Sequence, residues 1–245
     1  MLQTTQAIIL RIVPYGDTSL IVSAFTQRYG IQQYMVKGAR RTSKKGSSQA
    51  PFLQPAAILE LVVYHNELKQ LQIIKEMRWA HVYSQVMQNI SRNAIALYMV
   101  ELLSKCLRQP EANDELFAFA AEQLQLLDSC DNSVAANLPL YFTLQLAAHL
   151  GFRMEDEYDA SRPFLDLREG MFVSEPPIHG MYTDPQLSEV THQLLQHDNA
   201  ITLYRLKLNH QQRRALLQAY AHFFHYHVAD FGQLKTLAVL QEVLG

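Results

Sequence analysis

Cysteine is almost absent from this chain of 245 residues, which contains only Cys106 and Cys130. Two cysteines are too few for a disulfide framework or for a zinc site made of four thiolates. Glycine is also scarce, at nine residues, and the glycine-rich patterns that bind phosphate groups do not occur. The short signatures of serine hydrolases and zinc proteases are missing as well. These absences weigh against an enzyme but do not exclude one.

Long apolar segments are missing too. No apolar run approaches the ~20 residues that a membrane-spanning helix needs. The N-terminal residues lack a basic stretch followed by an apolar one, so we expect no signal peptide. Because cysteine is rare and no targeting segment is apparent, we expect a cytoplasmic protein that does not contact a membrane.

The net charge of −2 conceals an uneven distribution of charge along the chain. Residues 1–80 contain ten Lys/Arg and four Asp/Glu, whereas residues 81–245 contain eleven and nineteen. A basic front and an acidic back predict different partners for the two parts. The densest basic run has five cations within nine residues and no acid: Lys37, Arg40, Arg41, Lys44 and Lys45. Such runs are typical of solvated loops and of segments that contact phosphate backbones.

The front of the chain, residues 1–78, predicts a small β-barrel. Turn-forming residues such as Gly16 and Gly30 separate five segments rich in β-branched and aliphatic residues, namely 5–14, 18–26, 31–37, 56–65 and 68–76. Five short strands with one long basic loop match the oligonucleotide-binding (OB) architecture, which favours a nucleic-acid-binding domain over this range. We expect one or two exposed aromatics for base stacking among Tyr15, Phe25, Tyr29, Tyr34 and Phe52.

From Trp79 onward, apolar residues recur every three to four positions, which predicts a helical domain over residues 79–245. Asn113 begins the second helix, and Asp184 followed by Pro185 begins the fourth. The predicted helices cover 82–109, 113–127, 133–150, 184–198, 209–228 and 233–244. The fold class is therefore α+β.

Residues 152–181 interrupt the helical pattern with prolines and glycines. Segments 164–167 and 171–173 flank Gly170 and predict a small β-hairpin inserted in the helical domain. Near the C-terminus, His222, His225 and His227 form the densest group of potential metal ligands. A metal would need a further ligand from elsewhere, so we interpret them as core or interface histidines and expect no metal and no cofactor.

The order of these features resembles the RecO family of bacterial recombination mediators. The stretch AIILRIVPYGDTSLIVSAFTQRYGIQQYMVKGARR is similar to the family's opening, and PFLQPAAILELVVYH resembles its next strand. In the back half, HLGF before the hairpin and AYAHFFHYHV followed by LKTLAVL resemble the family's later segments. The resemblance covers nearly the whole chain, and the ordered set is more specific than any single stretch.

This resemblance implies a protein that binds single- and double-stranded DNA at the nucleoid, anneals complementary strands and catalyses no bond-making reaction on a small-molecule substrate. It also implies that the protein helps RecR to load RecA onto strands coated by single-strand-binding protein (SSB), whose acidic C-terminal tail it contacts. The family's Lys-Gly-Ala-Arg-Arg corresponds to residues 37–41. The expected DNA-binding residues are Lys37, Arg40, Arg41, Lys44, Lys45, Arg11 and Arg28.

The chain departs from the family where many members carry paired cysteines that bind zinc. Residues 155–178 contain no cysteine, and His179 is the candidate ligand nearby. We therefore expect the hairpin region 152–181 to be a degenerate zinc-finger position without metal. Apolar contact alone would then hold it, through Phe164, Leu167 and Phe172.

An acidic tail that ends in apolar residues needs a basic rim around an apolar slot. The basic cluster of the back half supplies such a rim beside several leucines, and its members are Arg205, Lys207, Arg213 and Arg214. A possible SSB-tail site is expected there, although a solvated helix start explains the same residues equally well.

The leading hypothesis is a DNA-binding recombination mediator. Two alternatives come from other classes of protein. One is a non-enzymatic protein–protein adaptor that acts mainly through its acidic helical domain. The other is a small-molecule enzyme of unrecognised type, which a deep polar pocket with converging acids and histidines would favour.

Overall fold

The computed structural model describes residues 2–40 and 52–243. The chain divides into two compact units. The barrel unit combines Met1–Ser84 with Leu103–Gln125, and the helical unit combines Gln85–Leu102 with Leu126–Gly245. Each unit is therefore built from two separate stretches of chain. The domain boundary expected between residues 78 and 79 stays a prediction.

Five strands form a closed barrel in the barrel unit. They are β1 (Leu2–Tyr15), β2 (Ser19–Thr26), β3 (Gly30–Val36), β4 (Ile58–Tyr64) and β5 (Leu71–His81). The order around the barrel is β1-β2-β3-β5-β4, and β4 pairs back to β1. β3 and β5 run parallel, whereas the other neighbours are antiparallel. This is the predicted OB-like barrel, and the predicted α+β class is confirmed.

The alternation of side chains explains the barrel core. In β2, Leu20, Val22 and Ala24 are buried inside, while Ile21 and Ser23 between them are half-buried on the outer side. Equivalent positions of the other strands complete one apolar cluster. Removal of this apolar surface from water is the main force that favours closure of the sheet.

The long strand β1 joins both neighbours through one irregularity. Its first half pairs with β4, and its second half pairs with β2. The register shifts between Ile9 and Arg11, as expected for a β-bulge. Because a bulge bends a strand and increases its twist, the 14 residues of β1 can follow the barrel wall.

The described part of the chain contains six α-helices. They are α1 (Ile90–Cys106), α2 (Asp114–Ser129), α3 (Asn132–His149), α4 (Pro185–Leu195), α5 (His210–His227) and α6 (Lys235–Val243). A 3-10 helix, Ala200–Arg205, was not predicted. No helix among the described residues is long and apolar enough to cross a membrane.

The predicted start of the first helix, residue 82, was eight residues too early. β5 continues to His81, and α1 begins only at Ile90. Between them, the carboxylate of Asp128 accepts the backbone N–H groups of Gln85 at 2.8 Å and Val86 at 2.9 Å. These bonds stabilise a non-helical connection, because the carboxylate gives the N–H groups of Gln85 and Val86 an acceptor that a helix would otherwise have to supply.

Other helix starts follow their predicted caps. Asn113 accepts the N–H of Leu116 at 2.9 Å, and Asp184 accepts that of Leu187 at 2.9 Å, with Pro185 as the first residue of α4. α3 is apolar on several faces and is buried along most of its length, as expected. Within the helical unit it hydrogen-bonds α1 through Thr143 Oγ1 and Tyr98 Oη, 2.8 Å apart.

A small sheet occupies the interruption between α3 and α4. It consists of β6 (Phe164–Asp166), β7 (Met171–Val173) and β8 (Tyr182–Thr183), in the order β7-β6-β8. The pairing of β6 with β7 is the predicted hairpin, and β8 is an additional strand. The two residues of β8 are too few to show a periodic pattern in sequence.

Gly30 allows a close approach of two backbones in the barrel unit. Its φ of +59° is left-handed, and a Cβ atom there would overlap the carbonyl group of Glu111. We predict that Gly30→Ala lowers the free energy of unfolding by about 3 kcal/mol, because backbone strain and steric displacement add. Urea unfolding followed by Trp79 fluorescence measures the loss.

Gly16→Ala is the matched control for this prediction. Gly16 has a similar φ of +57°, but nothing lies within 4 Å of an added Cβ. Only the left-handed conformation is then penalised, by about 1 kcal/mol. If both variants lose the same free energy of unfolding, the close approach of Gly30 to Glu111 does not contribute to the effect of Gly30→Ala.

Candidate nucleic-acid interface

Lys37 and Arg40 lie together at one end of the barrel, which we call the loop end. Directly after β3, Gly38 adopts a left-handed φ of +69° and Ala39 is buried. The backbone N–H of Arg40 donates to the carbonyl oxygen of Thr18 at 3.1 Å. The guanidinium of Arg40 donates to the carbonyl oxygen of Gly16. These bonds hold residues 37–40 against the β1–β2 turn, with both cationic side chains exposed. Arg41, Lys44 and Lys45 lie outside the described residues.

The structure does not bring Arg28 to the loop end. Leu20 pairs with Val36 near that end, whereas Thr26 pairs with Gly30 at the other. Arg28 lies in the turn beyond Thr26, so the seven residues of β3 separate it from Lys37. That length is roughly 20 Å for an extended strand. Arg11 pairs with Ser23 between the two ends and is exposed.

A cleft of about 760 Å³ opens at the end of the barrel that carries Arg28. We call it the end cleft. Its walls come from the β2–β3 turn, β3, the β4–β5 loop and residues 108–110, all in the barrel unit. Three cations and one acid, Glu67, are among the described residues that line it. The cationic, aromatic and large apolar side chains that line it include Arg28, Tyr29, His65, Leu68, Lys69 and Arg108.

The β4–β5 loop beside the end cleft is held by two amide side chains. Gln72, only 2% exposed, accepts the N–H of Asn66 at 3.0 Å and donates to the carbonyl oxygens of Asn66 at 2.8 Å and Lys69 at 2.5 Å. Asn66 Oδ1 accepts the N–H of Leu68 at 2.9 Å. The loop therefore has a defined shape, which presents Leu68 to solvent at 95% exposure.

The aromatic candidates divide between the core and the two barrel ends. Tyr34 and Phe25 are buried, and burial raises the pKa of the Tyr34 hydroxyl. Tyr15 is exposed at the loop end, and Phe52 is half-buried against Trp79. Tyr29 lines the end cleft, where its ring stacks on His65 with centroids 3.8 Å apart and planes 15° apart.

Most of the end cleft was not predicted from the sequence. Arg28 was among the predicted residues, whereas His65, Leu68 and Arg108 were not, because these residues come together only after the barrel has closed. The available signal was Leu68, a large apolar residue in an otherwise polar connection between two strands.

In the helical unit, Lys207 and Arg213 line one recess of about 330 Å³. Asn137 forms part of its wall; its amide nitrogen donates to the carbonyl oxygens of Leu203 and Leu206, and its Oδ1 atom has no hydrogen-bond partner among the described residues. Arg213 donates to the carbonyl oxygen of Leu208 at 2.6 Å, and burial lowers the pKa of its guanidinium.

The other two basic residues of this cluster lie outside that recess. Arg205 lines a second recess, of about 280 Å³, which shares Leu206 with the first, and its guanidinium lies 5.6 Å from the centre of the Tyr204 ring. The side chain of Arg214 is exposed on α5. The structure thus brings two of the four predicted residues into one recess.

A buried carboxylate holds the small sheet at the degenerate zinc-finger position. Asp166 accepts the backbone N–H groups of Arg168 at 2.8 Å and Glu169 at 3.2 Å, and it lies 3.1 Å from Nε2 of His179. The expectation of apolar contact alone was therefore incomplete. Leu167 and Phe172 are buried as expected, and so is Leu165, but Phe164 is only half-buried, with its ring edge-on to Tyr182.

The other potentially reactive groups do not converge. Burial raises the pKa of the Cys106 thiol to about 12, so that thiol is protonated at neutral pH and is a poor nucleophile. His222, His225 and His227 are exposed, which contradicts a core position for them. Among residues 2–40 and 52–243, no group of three His, Cys, Asp or Glu side chains is arranged to hold a metal ion.

Comparison with known proteins gives a consistent result along the chain. Residues 1–83 match the family described as "Recombination protein O N terminal", and residues 87–238 match "Recombination protein O C terminal". Proteins named "DNA repair protein RecO" are similar over 99% of both chains. The one from Bacteroides fragilis is 31% identical, that from Phocaeicola vulgatus 29% and that from Azobacteroides pseudotrichonymphae 26%.

Asp166 has a testable structural role in the small sheet. We predict that Asp166→Ala lowers the free energy of unfolding by about 2 kcal/mol, because the substitution leaves two N–H groups without their acceptor. Thermal and urea unfolding measure the effect. Glu169→Ala, at the exposed neighbouring position, should change stability by less than about 0.5 kcal/mol. A chelator that destabilises the unmodified protein more than Asp166→Ala does would assign the main role to a metal instead.

Proposed function

The chain belongs to the recombination protein O family of DNA repair proteins, and we propose that it acts as a recombination mediator without catalysing a reaction. In this proposal it binds and anneals single-stranded DNA in the cytoplasm, at the nucleoid. With RecR, it helps to load RecA onto DNA coated by SSB. The family resemblance carried by the opening segment is thereby confirmed, whereas these activities and partners are proposals.

The observation that carries the DNA-binding proposal is the arrangement of the loop end. The turn at residues 37–40 is tied to the barrel by the backbone N–H of Arg40 and by buried Ala39. Lys37 and Arg40 are exposed there, where the basic run begins. Cations that project from a rigid support can replace the counterions of a phosphate backbone without reading base sequence.

The two recesses of the helical unit support a contact with the SSB tail. Lys207, Arg213 and Arg205 offer positive charge, and Leu206 lines both recesses. A basic rim beside apolar groups is complementary to an acidic peptide that ends in apolar residues.

Replacing the basic run should reduce the electrostatic part of DNA binding. We predict that a variant with glutamine at all five positions, Lys37, Arg40, Arg41, Lys44 and Lys45, binds single-stranded DNA more weakly. Because each phosphate contact contributes about 0.7 to the slope of log affinity against log salt, the slope should fall by up to about 3.5. Fluorescence anisotropy with a labelled oligonucleotide across a salt series measures both quantities.

A matched control removes five exposed cations elsewhere: Lys75, Arg78, Arg153, Arg168 and Lys235. This variant has the same net charge but keeps the basic run, so its slope should remain close to that of the unmodified protein. An unchanged slope in the first variant would exclude the basic run as the DNA contact. Binding of a protein partner without any affinity for oligonucleotides at low salt would favour the adaptor alternative.

The helical recesses make a separate prediction about the SSB tail. We predict that Arg213→Glu with Arg214→Glu weakens binding of a synthetic SSB-tail peptide by about tenfold, because the change opposes acidic residues of the peptide. Isothermal titration calorimetry measures the affinity. The control, Arg153→Glu with Arg168→Glu, makes the same charge change at exposed positions of the same unit. Unaltered peptide binding in the first variant would reject this location.

A further inference from the structure

We infer that the end cleft is a second DNA site, which holds a single-stranded segment by its bases as well as its phosphates. This inference rests on the proposed function but concerns the opposite end of the barrel from Lys37 and Arg40, where Arg28 is the one residue that the sequence had already indicated for DNA binding. Tyr29, His65 and Leu68 would contact unstacked bases. Arg28, Lys69 and Arg108 would contact the phosphates on either side.

The charge and size of the end cleft suit a nucleotide. Arg28, Lys69 and Arg108 line it together with one acid, Glu67. A volume of about 760 Å³ lies within the range of clefts that enclose small ligands. The cations come from three separate segments of the barrel unit and line one cleft. Cations that line one cleft can contact the phosphates of a bound single strand.

The stacked pair supplies a surface for a base. Tyr29 lies in the β2–β3 turn and His65 directly follows β4, and their rings are nearly parallel. The backbone of Tyr29 is held on both sides, because its N–H donates to Thr26 Oγ1 at 3.1 Å and its carbonyl oxygen accepts from Gln32 at 2.8 Å. A rigid aromatic face can stack with any base, which gives affinity without sequence preference.

Leu68 gives the end cleft an apolar projection. Its side chain is almost completely exposed, so the free protein lacks the stabilisation that burial of a leucine would provide. The bonds from Asn66 and Gln72 nevertheless fix the loop that carries it. Apolar side chains held in this way can insert beside bases and keep them unstacked. In a duplex the bases are stacked and paired, so this contact favours single strands.

The end cleft therefore differs in chemistry from the loop end. The described cations of the loop end, Lys37 and Arg40, can bind phosphates of single-stranded or duplex DNA alike. The end cleft combines cations with a stacking surface and a projecting leucine, which requires accessible bases. A strand held there would have its neighbouring bases exposed for pairing with a complementary strand.

The test compares two oligonucleotides of equal length and charge, one of thymidine and one of abasic sites. The full-length unmodified protein should bind the thymidine strand at least about fivefold more tightly, since base stacking is available only to that strand. Tyr29→Leu and Leu68→Ser should remove most of this preference while affinity for the abasic strand stays the same. Arg28→Gln with Lys69→Gln should instead weaken both strands and lower the salt slope by about 1.4.

Matched controls separate these effects from general damage. Ile178→Ser removes an equally exposed apolar side chain in the helical unit, and Lys75→Gln removes an exposed cation of the barrel unit outside the cleft. Both should behave like the unmodified protein. Leu68→Ser alters only a solvated side chain, so its result stands even if Tyr29→Leu fails to fold.

The outcomes distinguish this inference from the proposed function. If the unmodified protein binds no oligonucleotide at low salt, the proposed DNA-binding function itself is wrong. If it binds DNA but shows no preference for thymidine over abasic strands, or if Tyr29→Leu and Leu68→Ser leave that preference intact, the end cleft is not a base-binding site and the proposed function stands.

Discussion

Closure of the barrel depends on β1, which pairs along its length with β4 and then with β2. The bulge between Ile9 and Arg11 makes both pairings compatible with one strand. Because closure leaves no open sheet edge, the turns and loops at the two ends become the surfaces on which ligands can be recognised. The alternating direction of the strands then distributes the basic residues to opposite ends. One closed sheet thus supplies two surfaces with different chemistry.

Local patterns in the sequence were sufficient to identify the helices and strands, but not which of them pair or pack together. The strands show a period of two residues, and Asn113 and Asp184 mark helix starts, because these signals act over a few residues. The parallel pairing of β3 with β5 has no local signal. The same holds for the placement of Leu103–Gln125 with the barrel. Grouping Arg28 with Lys37 was therefore reasonable along the chain, although the barrel places them at opposite ends.

Gln72 illustrates why the site was harder to predict than the fold. Hydrophobicity alone would bury Leu71 and Ile73 of β5, yet Gln72 is buried and Ile73 is exposed. The amide of Gln72 satisfies backbone groups of the β4–β5 loop, so its burial is favourable in this fold. Asp166 does the same for the turn between β6 and β7. In both cases one buried polar side chain determines a local shape that no apolar pattern encodes.

The discontinuity of the barrel unit has a consequence for how the protein is made. Phe25 on β2 packs edge-to-face with Phe117, and Gly30 approaches Glu111, but both partners are synthesised only after β5 is complete. At bacterial elongation speeds, several seconds pass between synthesis of the last strand and synthesis of this segment. Until that segment is made, Phe25 lacks the aromatic ring that covers it in the folded barrel unit. Contact with a chaperone would be most useful in that interval.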